Sequence, residues 1–193
     1  MSTSSEPQRL DQILVSRNLV ASRSRARDAI ARGTVTVAGK VVTKPSLVFA
    51  PDVIITIDDP AQDYVSRAAL KLVAALDHFG LDPRDAECLD VGASTGGFTE
   101  VLVLRGAAHV TAIDVGHGQM HPRLLANEKV TNIEGLNARF LEPGDIDDRP
   151  IGFIVSDVSF ISLKLALAPA LELAEPGARA ILLVKPQFEA GRD

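Results

Sequence analysis

A small α+β domain followed by an α/β domain with a mainly parallel sheet is the architecture this sequence predicts. Three observations predict it. From about Tyr64 onward, short apolar strands alternate with helix-length segments, the pattern of a parallel sheet covered on both faces. Ahead of that, helical spacing gives way after Gly33 to period-two alternation. Charge divides in the same way: residues 9–44 hold eight basic and two acidic side chains, whereas residues 45–193 hold 12 basic and 22 acidic ones. A net charge of −5 thus conceals a basic module joined to an acidic one.

In the basic module, Leu10, Ile13 and Leu14 recur at helical spacing and predict a short helix before Asn18. Ser22 is a suitable N-cap for a second helix, RSRARDAIAR, which Gly33 stops. Ala26, Ala29 and Ile30 form its buried stripe, with Arg23 and Arg27 on one flank and Arg25 and Arg32 on the other. TVTVAGKVV then reads as a hairpin turning at Ala38-Gly39, and VIITI as a further strand from Val53 to Ile57. Arginines clustered on one small domain suit contacts to phosphates, against the plainer reading of a solvated charged face.

In the acidic module, ECLDV predicts the first strand, DVGASTGGFTE a glycine turn and FTEVLVLRG a helix. HVTAID, VTNIEGL, GFIVSD and ARAILLVKP predict four more strands, and SLKLALAPALELA a helix between the last two. Ligands of such sheets sit beyond the C-terminal strand ends.

With 46% hydrophobic residues the chain can bury a core, and with 4% aromatics and no Trp that core must be aliphatic. One cysteine, Cys88, rules out an internal disulfide, and its place in ECLDV reads as a small buried hydrophobe on a strand. The polar start MSTSSEPQR lacks an apolar signal segment, and Ile151 to Ala174 is interrupted by Asp157 and Lys164, so a soluble, cytoplasmic protein is expected.

The glycine turn narrows the ligand. Gly92, Gly96 and Gly97 are spaced G-x-x-x-G-G rather than the dinucleotide G-x-G-x-x-G, and no Lys-Ser or Lys-Thr pair follows. Asp90 would also repel a pyrophosphate. A cationic, phosphate-free adenosine ligand such as S-adenosylmethionine fits better, with its ammonium near Asp90 and its ribose hydroxyls on Asp114. Gly92 and Gly96 would allow a close backbone approach. An ordinary strand-end acid bonded to a helix N-terminus is the plainer alternative for either aspartate.

Three further residues carry chemistry: Lys71 in SRAALKL, Asp157 at the end of the fourth strand and Lys185 at the end of the fifth. The last two should converge, because those strands are neighbours in this topology. An amine leaving an apolar strand is partly desolvated, which favours its neutral form, and a neutral amine can take a proton from a weakly acidic hydroxyl.

Two resemblances extend this reading. RLDQILVSRNLVASRSRARDAIARGTVTVAGKVV resembles the small RNA-binding domain named after ribosomal protein S four, which implies recognition of structured RNA by shape and backbone. The residues this implies are Arg9, Arg23, Arg25, Arg27, Arg32 and Lys40. Lys71, Asp157 and Lys185 match the first three members of the Lys-Asp-Lys-Glu tetrad of FtsJ-like ribose 2′-O-methyltransferases. Together with DVGASTGGFT, SDVSFISL and VKPQFE, they make the chain resemble the TlyA family, which also carries the name haemolysin A.

That resemblance implies a Rossmann-like class I methyltransferase fold and methyl transfer from S-adenosylmethionine to a cytidine 2′-hydroxyl of ribosomal RNA or ribosomal subunits. Lys185 would lie closest to the hydroxyl, with Lys71 and Asp157 holding the ribose and the charge balance. Asp90, Gly92, Ser94, Gly96 and Asp114 would hold the cofactor, with Asn137 near its adenine. The implied layout is a tail over 1–8, an RNA-binding domain over 9–58, a linker over 59–66 and a methyltransferase domain over 67–193. The tetrad's closing Glu belongs to a later strand, Glu189 is too early to serve, and the chain is expected to be a fragment lacking the last strands.

His117 and His121 in VGHGQMHP read as loop residues rather than metal ligands, because Gly118 and Pro122 argue against a helix and no third ligand is evident. Phe160 could stack on a flipped base or serve as a core or lid residue. Asp58-Asp59 and Asp147-Asp148 read as solvated turns. The rivals are a small-molecule methyltransferase, a non-enzymatic RNA-binding protein with a vestigial or truncated methyltransferase domain, and a haemolysin. The last has neither a spanning segment nor a basic amphipathic one to support it.

Overall fold

The computed structural model describes residues 6–190. The chain divides into two compact units, residues 1–62 and 63–193.

The first unit opens with β1 (Gln8–Arg9) and α1 (Leu10–Ser16), then α2 (Arg23–Ala31). Ser22 caps α2 as expected, its hydroxyl accepting from the Arg25 N–H at 3.3 Å. β2 (Val35–Val37) and β3 (Lys40–Val41) form the hairpin, with Ala38 at φ 47° and Gly39 at φ 77°. Positive φ at both central residues gives the turn a twist that matches the strands. β4 (Val48–Phe49) pairs with β1, so Gln8, expected in a tail, lies opposite Phe49; residues 1–5 of that tail lie outside the described residues. β5 (Ile55–Ile57) completes a three-stranded antiparallel sheet of order β3-β2-β5.

Leu10, Leu14, Ala26, Ala29, Ile30, Val35 and Val37 form the core between the helices and this sheet. Residues 59–62, expected in a linker, belong to this unit. Asp59, expected to be solvated, is almost buried and pairs with Arg32 at 2.5 Å. A lone carboxylate there would be costly, and the guanidinium offsets the loss of water.

The second unit begins with α3 (Ala69–Phe79), ended by Gly80 in the left-handed region. There follow β6 (Glu87–Val91), α4 (Gly97–Leu104), β7 (His109–Asp114), the short α5 (Pro122–Leu125) and β8 (Val130–Glu134). β9 (Ile151–Ser156), α6 (Leu163–Glu172), β10 (Ala174–Leu182) and α7 (Pro186–Glu189) complete it. The five strands form one sheet of order β10-β9-β6-β7-β8, with every pairing parallel.

Strand alternation distributes the core. Cys88, Val110, Phe153 and Val155 pack with Leu72 and Leu76 of α3 and Phe98, Val101 and Leu102 of α4. Leu89, Val91, Ile113 and Ile154 pack with Ala166, Leu167 and Ala170 of α6. Buried apolar residues on both faces are what a parallel sheet between helical layers requires. Burial pushes the Cys88 thiol up to about 12, so it stays a core group rather than a nucleophile.

Candidate active site

Parallel strands carry every β-to-α connection to the same sheet edge, and that edge carries the site. A cavity of about 710 Å³ runs across the C-terminal strand ends. In sheet order it meets Lys185 after β10, Asp157 after β9, Gly92 after β6, Asp114 at the end of β7 and Asn137 beyond β8. Lys71 reaches it from the first turn of α3.

One end is an ion cluster. The Asp157 carboxylate lies between two amines, with Lys71 Nζ 2.8 Å from Oδ2 and Lys185 Nζ 2.7 Å from Oδ1. The second contact is a close ion pair rather than an aligned hydrogen bond. Lys185 Nζ also donates to the Asp157 main-chain O at 3.3 Å and to Ser159 Oγ at 2.6 Å. Lys71 is half-exposed, whereas Asp157 and Lys185 are 15% and 21% exposed in their side chains.

The other end is built for a polar, neutral or cationic ligand. Asp114 Oδ2 accepts from the Ser94 N–H at 2.8 Å and Oδ1 from the Gly116 N–H at 2.7 Å. These bonds fix the carboxylate plane and leave each oxygen further acceptor capacity. Ser94 Oγ donates to Gln119 Oε1 at 2.8 Å, tying the glycine turn to the loop after β7. Asn137 also lines the cavity, its side-chain O accepting from the Arg139 N–H at 3.1 Å.

Asp90 and Gly96 are placed differently from expectation. Neither lines the cavity. Asp90 sits one residue before the strand end, so alternation turns it toward α4, where Oδ2 accepts from Thr99 Oγ1 at 2.6 Å. It is 1% exposed and Oδ1 has no partner. Burial pushes its carboxyl up to about 7, partly opposed by the Thr99 hydrogen bonds and reinforced by Asp114 and Asp157. Gly96, at φ 91°, faces Met120 and Leu124: a Cβ there would come within 2.5 Å of both side chains. At Gly92, φ 82°, a Cβ would meet Val158 Cγ1 at 2.8 Å, so this glycine admits the loop after β9.

Two acids outside the expected set organise side chains around them, each within its own unit. Glu100, in the apolar helix sequence FTEVLVL, is 5% exposed, accepts from the Val65 N–H at 2.6 Å and pairs with Arg123. Arg123 also donates to the Asp63 main-chain O at 3.1 Å, so residues 63–65, just ahead of the cavity-lining Ser66 and Ala68, are held at two points. Asp11, in the first unit, is fully buried, with Arg9 at 2.9 Å, Arg23 at 3.1 Å and Arg27 at 3.8 Å. Arg9 foremost, and then Arg23, hold its carboxyl below the usual carboxylate range against the opposing effect of burial. An acid inside an otherwise apolar helical stripe was the available signal for both.

Arg25 of α2 and Arg32, which follows that helix, are otherwise engaged: Arg25 donates to the Ala61 main-chain O at 3.3 Å and Arg32 pairs with Asp59. Lys40 is exposed on the hairpin. Phe160, at φ 67° and 91% exposed, packs against Phe188 at a centroid distance of 5.4 Å. Glu189 caps α6, accepting from the Leu163 N–H and Ser162 Oγ, each at 2.7 Å. His121 caps α5, its Nδ1 accepting from the Arg123 N–H at 3.2 Å. Among the described residues no three His, Cys, Asp or Glu cluster as a metal site would require.

The model for FtsJ-like methyltransferases matches residues 64–193, and that for the S4 domain residues 8–54. The 16S/23S rRNA (cytidine-2′-O)-methyltransferase TlyA of Mycobacterium tuberculosis is 44% identical over 185 residues, covering 95% of this chain and 69% of the relative. The chain belongs to the TlyA family of FtsJ-like methyltransferases. Hemolysin A of Brachyspira hyodysenteriae is 41% identical over 95% of this chain and 76% of its own length. A solved structure described as a hemolysin from Streptococcus thermophilus superposes with a TM-score of 0.70 at 36% identity, covering 98% of this chain and 70% of that one. Membership of this family implies S-adenosylmethionine-dependent chemistry. Among the described residues no helix is long and apolar enough to cross a membrane.

Proposed function

We propose that this chain methylates the 2′-hydroxyl of a cytidine ribose in ribosomal RNA, using S-adenosylmethionine, in the cytoplasm. The observation that carries the reading is the Lys71–Asp157–Lys185 cluster at one end of a cavity whose other end is Asp114. In this reading residues 9–58 bind RNA and residues 67–193 carry the transfer.

The cavity suits the cofactor. Its only basic lining side chains among the described residues are Lys71 and Lys185, both committed to Asp157, so no cation is provided for a phosphate. Asp90 keeps an unpartnered, buried oxygen just behind the glycine turn, and an ammonium nearby would favour its ionised form. Asp114 would receive the ribose hydroxyls, Asn137 and the apolar Leu136 and Ala138 would flank the adenine, and Ser94 would close the turn over the ligand. Bound there, S-adenosylmethionine would supply an electrophilic methyl group.

The residues of the chain do the rest. Lys185, as the free amine, takes the proton of the 2′-hydroxyl: the O–H bond breaks and an N–H bond forms, leaving the oxygen lone pair to attack. Asp157 holds both amines in register and offsets the positive charge that remains. Lys71, the more exposed of the two, contacts the ribose. Arg9, Arg23 and Arg27, spread around Asp11, meet RNA phosphates, and their common anchor limits the rotamer freedom lost on binding.

The test is transfer of labelled methyl to ribosomal subunits by the full-length protein. Lys185→Ala should abolish transfer while S-adenosylmethionine still binds in calorimetry. Undiminished transfer would remove Lys185 from the reaction and the proposal with it.

A further inference from the structure

Lys185 can act as a base only after losing a proton, because an ammonium has no lone pair. Two of its hydrogens are donated, to the Asp157 main-chain O at 3.3 Å and to Ser159 Oγ at 2.6 Å, and Asp157 Oδ1 lies 2.7 Å away as an ion pair. The carbonyl cannot carry a proton onward. Asp157 would have to give up the charge that holds Lys71 at 2.8 Å as well as Lys185. Ser159 is the one contact that both accepts a hydrogen bond and owns a transferable proton. It lines the cavity, yet it is exposed, whereas Lys185 is largely covered.

We infer that Ser159 is the positioning residue for Lys185 and carries its proton to solvent. An Nζ–H bond breaks as a new Oγ–H bond forms, and the original serine proton passes to a solvent water. The amine is left with a lone pair, which rotation about the Cε–Nζ bond turns from Ser159 Oγ to the 2′-hydroxyl. After the 2′-hydroxyl proton has moved to Nζ, the same path returns it to water, so one proton leaves per turnover and no other reactant is needed. The inference rests on the reading of Lys185 as the base.

The experiment compares Ser159→Ala, Ser159→Thr and Lys185→Ala in the full-length protein, measuring methyl transfer to ribosomal subunits and S-adenosylmethionine affinity by calorimetry. Loss of one hydrogen bond to a charged group predicts a kcat for Ser159→Ala lower by about 10–100-fold. The KM for RNA and the cofactor affinity should be unchanged, and Thr, which keeps the hydroxyl, should restore most of the rate. A Ser159→Ala enzyme as fast as the parent would overturn the inference and mean that Lys185 exchanges directly with water. Parallel loss of cofactor binding and transfer, or no rescue by Thr, would also overturn it, because the role would then be one of folding. If Lys185→Ala itself kept full activity, the reading of the site would fail instead.

Discussion

Replacing Asp90 with Asn should separate the stability of the methyltransferase unit from its affinity for S-adenosylmethionine. The folded chain keeps this carboxyl in a dry position with one unpartnered oxygen, so its proton is held up to about pH 7 rather than the ordinary 3.8. That gap is worth roughly 4 kcal/mol, an upper bound because water penetration softens burial. Since the folded form binds the proton more tightly than the unfolded form, the contribution is fully present below about pH 4 and is lost as pH rises through 7. Some 2–3 kcal/mol of the loss falls between about pH 5 and pH 8. Asn cannot ionise and can still accept from Thr99, so the variant should lose that slope and be the more stable protein at pH 8 without cofactor.

Urea unfolding of both proteins at the two pH values, followed by circular dichroism, measures the double difference. Asp11, Glu134 and Glu189, whose carboxyls are held low, titrate in the opposite sense below this window and are common to both chains. S-adenosylmethionine should bind the variant more weakly, because a neutral amide offers its ammonium no opposite charge. Parallel stability curves for the two proteins would refute the burial argument, and undiminished affinity would refute the link to the cofactor.

Arg23→Ala combined with Arg27→Ala should weaken RNA binding and lower the slope of log affinity against log salt by roughly 2, one released counterion for each lost phosphate contact. Cofactor affinity should not move; equal loss of both, seen by filter binding and calorimetry, would mean that the arginines serve the fold. Glu100→Gln should keep the Val65 hydrogen bond and lose the charge pairing with Arg123. The loss of about 1–2 kcal/mol should appear as a lower Tm and a several-fold weaker cofactor affinity. An unchanged affinity would mean that residues 63–65 are held without this ion pair.

Patterns repeated along the chain were legible before any coordinates. The 3.6-residue period marked α1 and α2, the two-residue period marked the β2–β3 hairpin, and short apolar runs marked the five strands of the parallel sheet, because each is a local response to where apolar side chains fall. Ser22 and Gly33 marked the limits of α2 through their own hydrogen-bonding and backbone preferences. The convergence of Asp157 and Lys185 followed from topology, since adjacent parallel strands deliver their C-terminal ends to one edge. Two-residue strands such as β1 and β4 carry no period and were invisible.

What tertiary structure alone decided were the partners of charged groups. The sequence shows Asp90 at the end of a strand; packing turned it toward Thr99 and α4 and left one oxygen dry. The sequence shows arginines clustered in the basic module; folding gathered Arg9, Arg23 and Arg27 on Asp11 and sent Arg25 and Arg32 to residues 59–61. It likewise brought the Ser159 hydroxyl to Lys185, 26 positions away along the chain. Local preference is written residue by residue, whereas the energy of a charge depends on its burial and on which distant group meets it, and only the packed chain sets both.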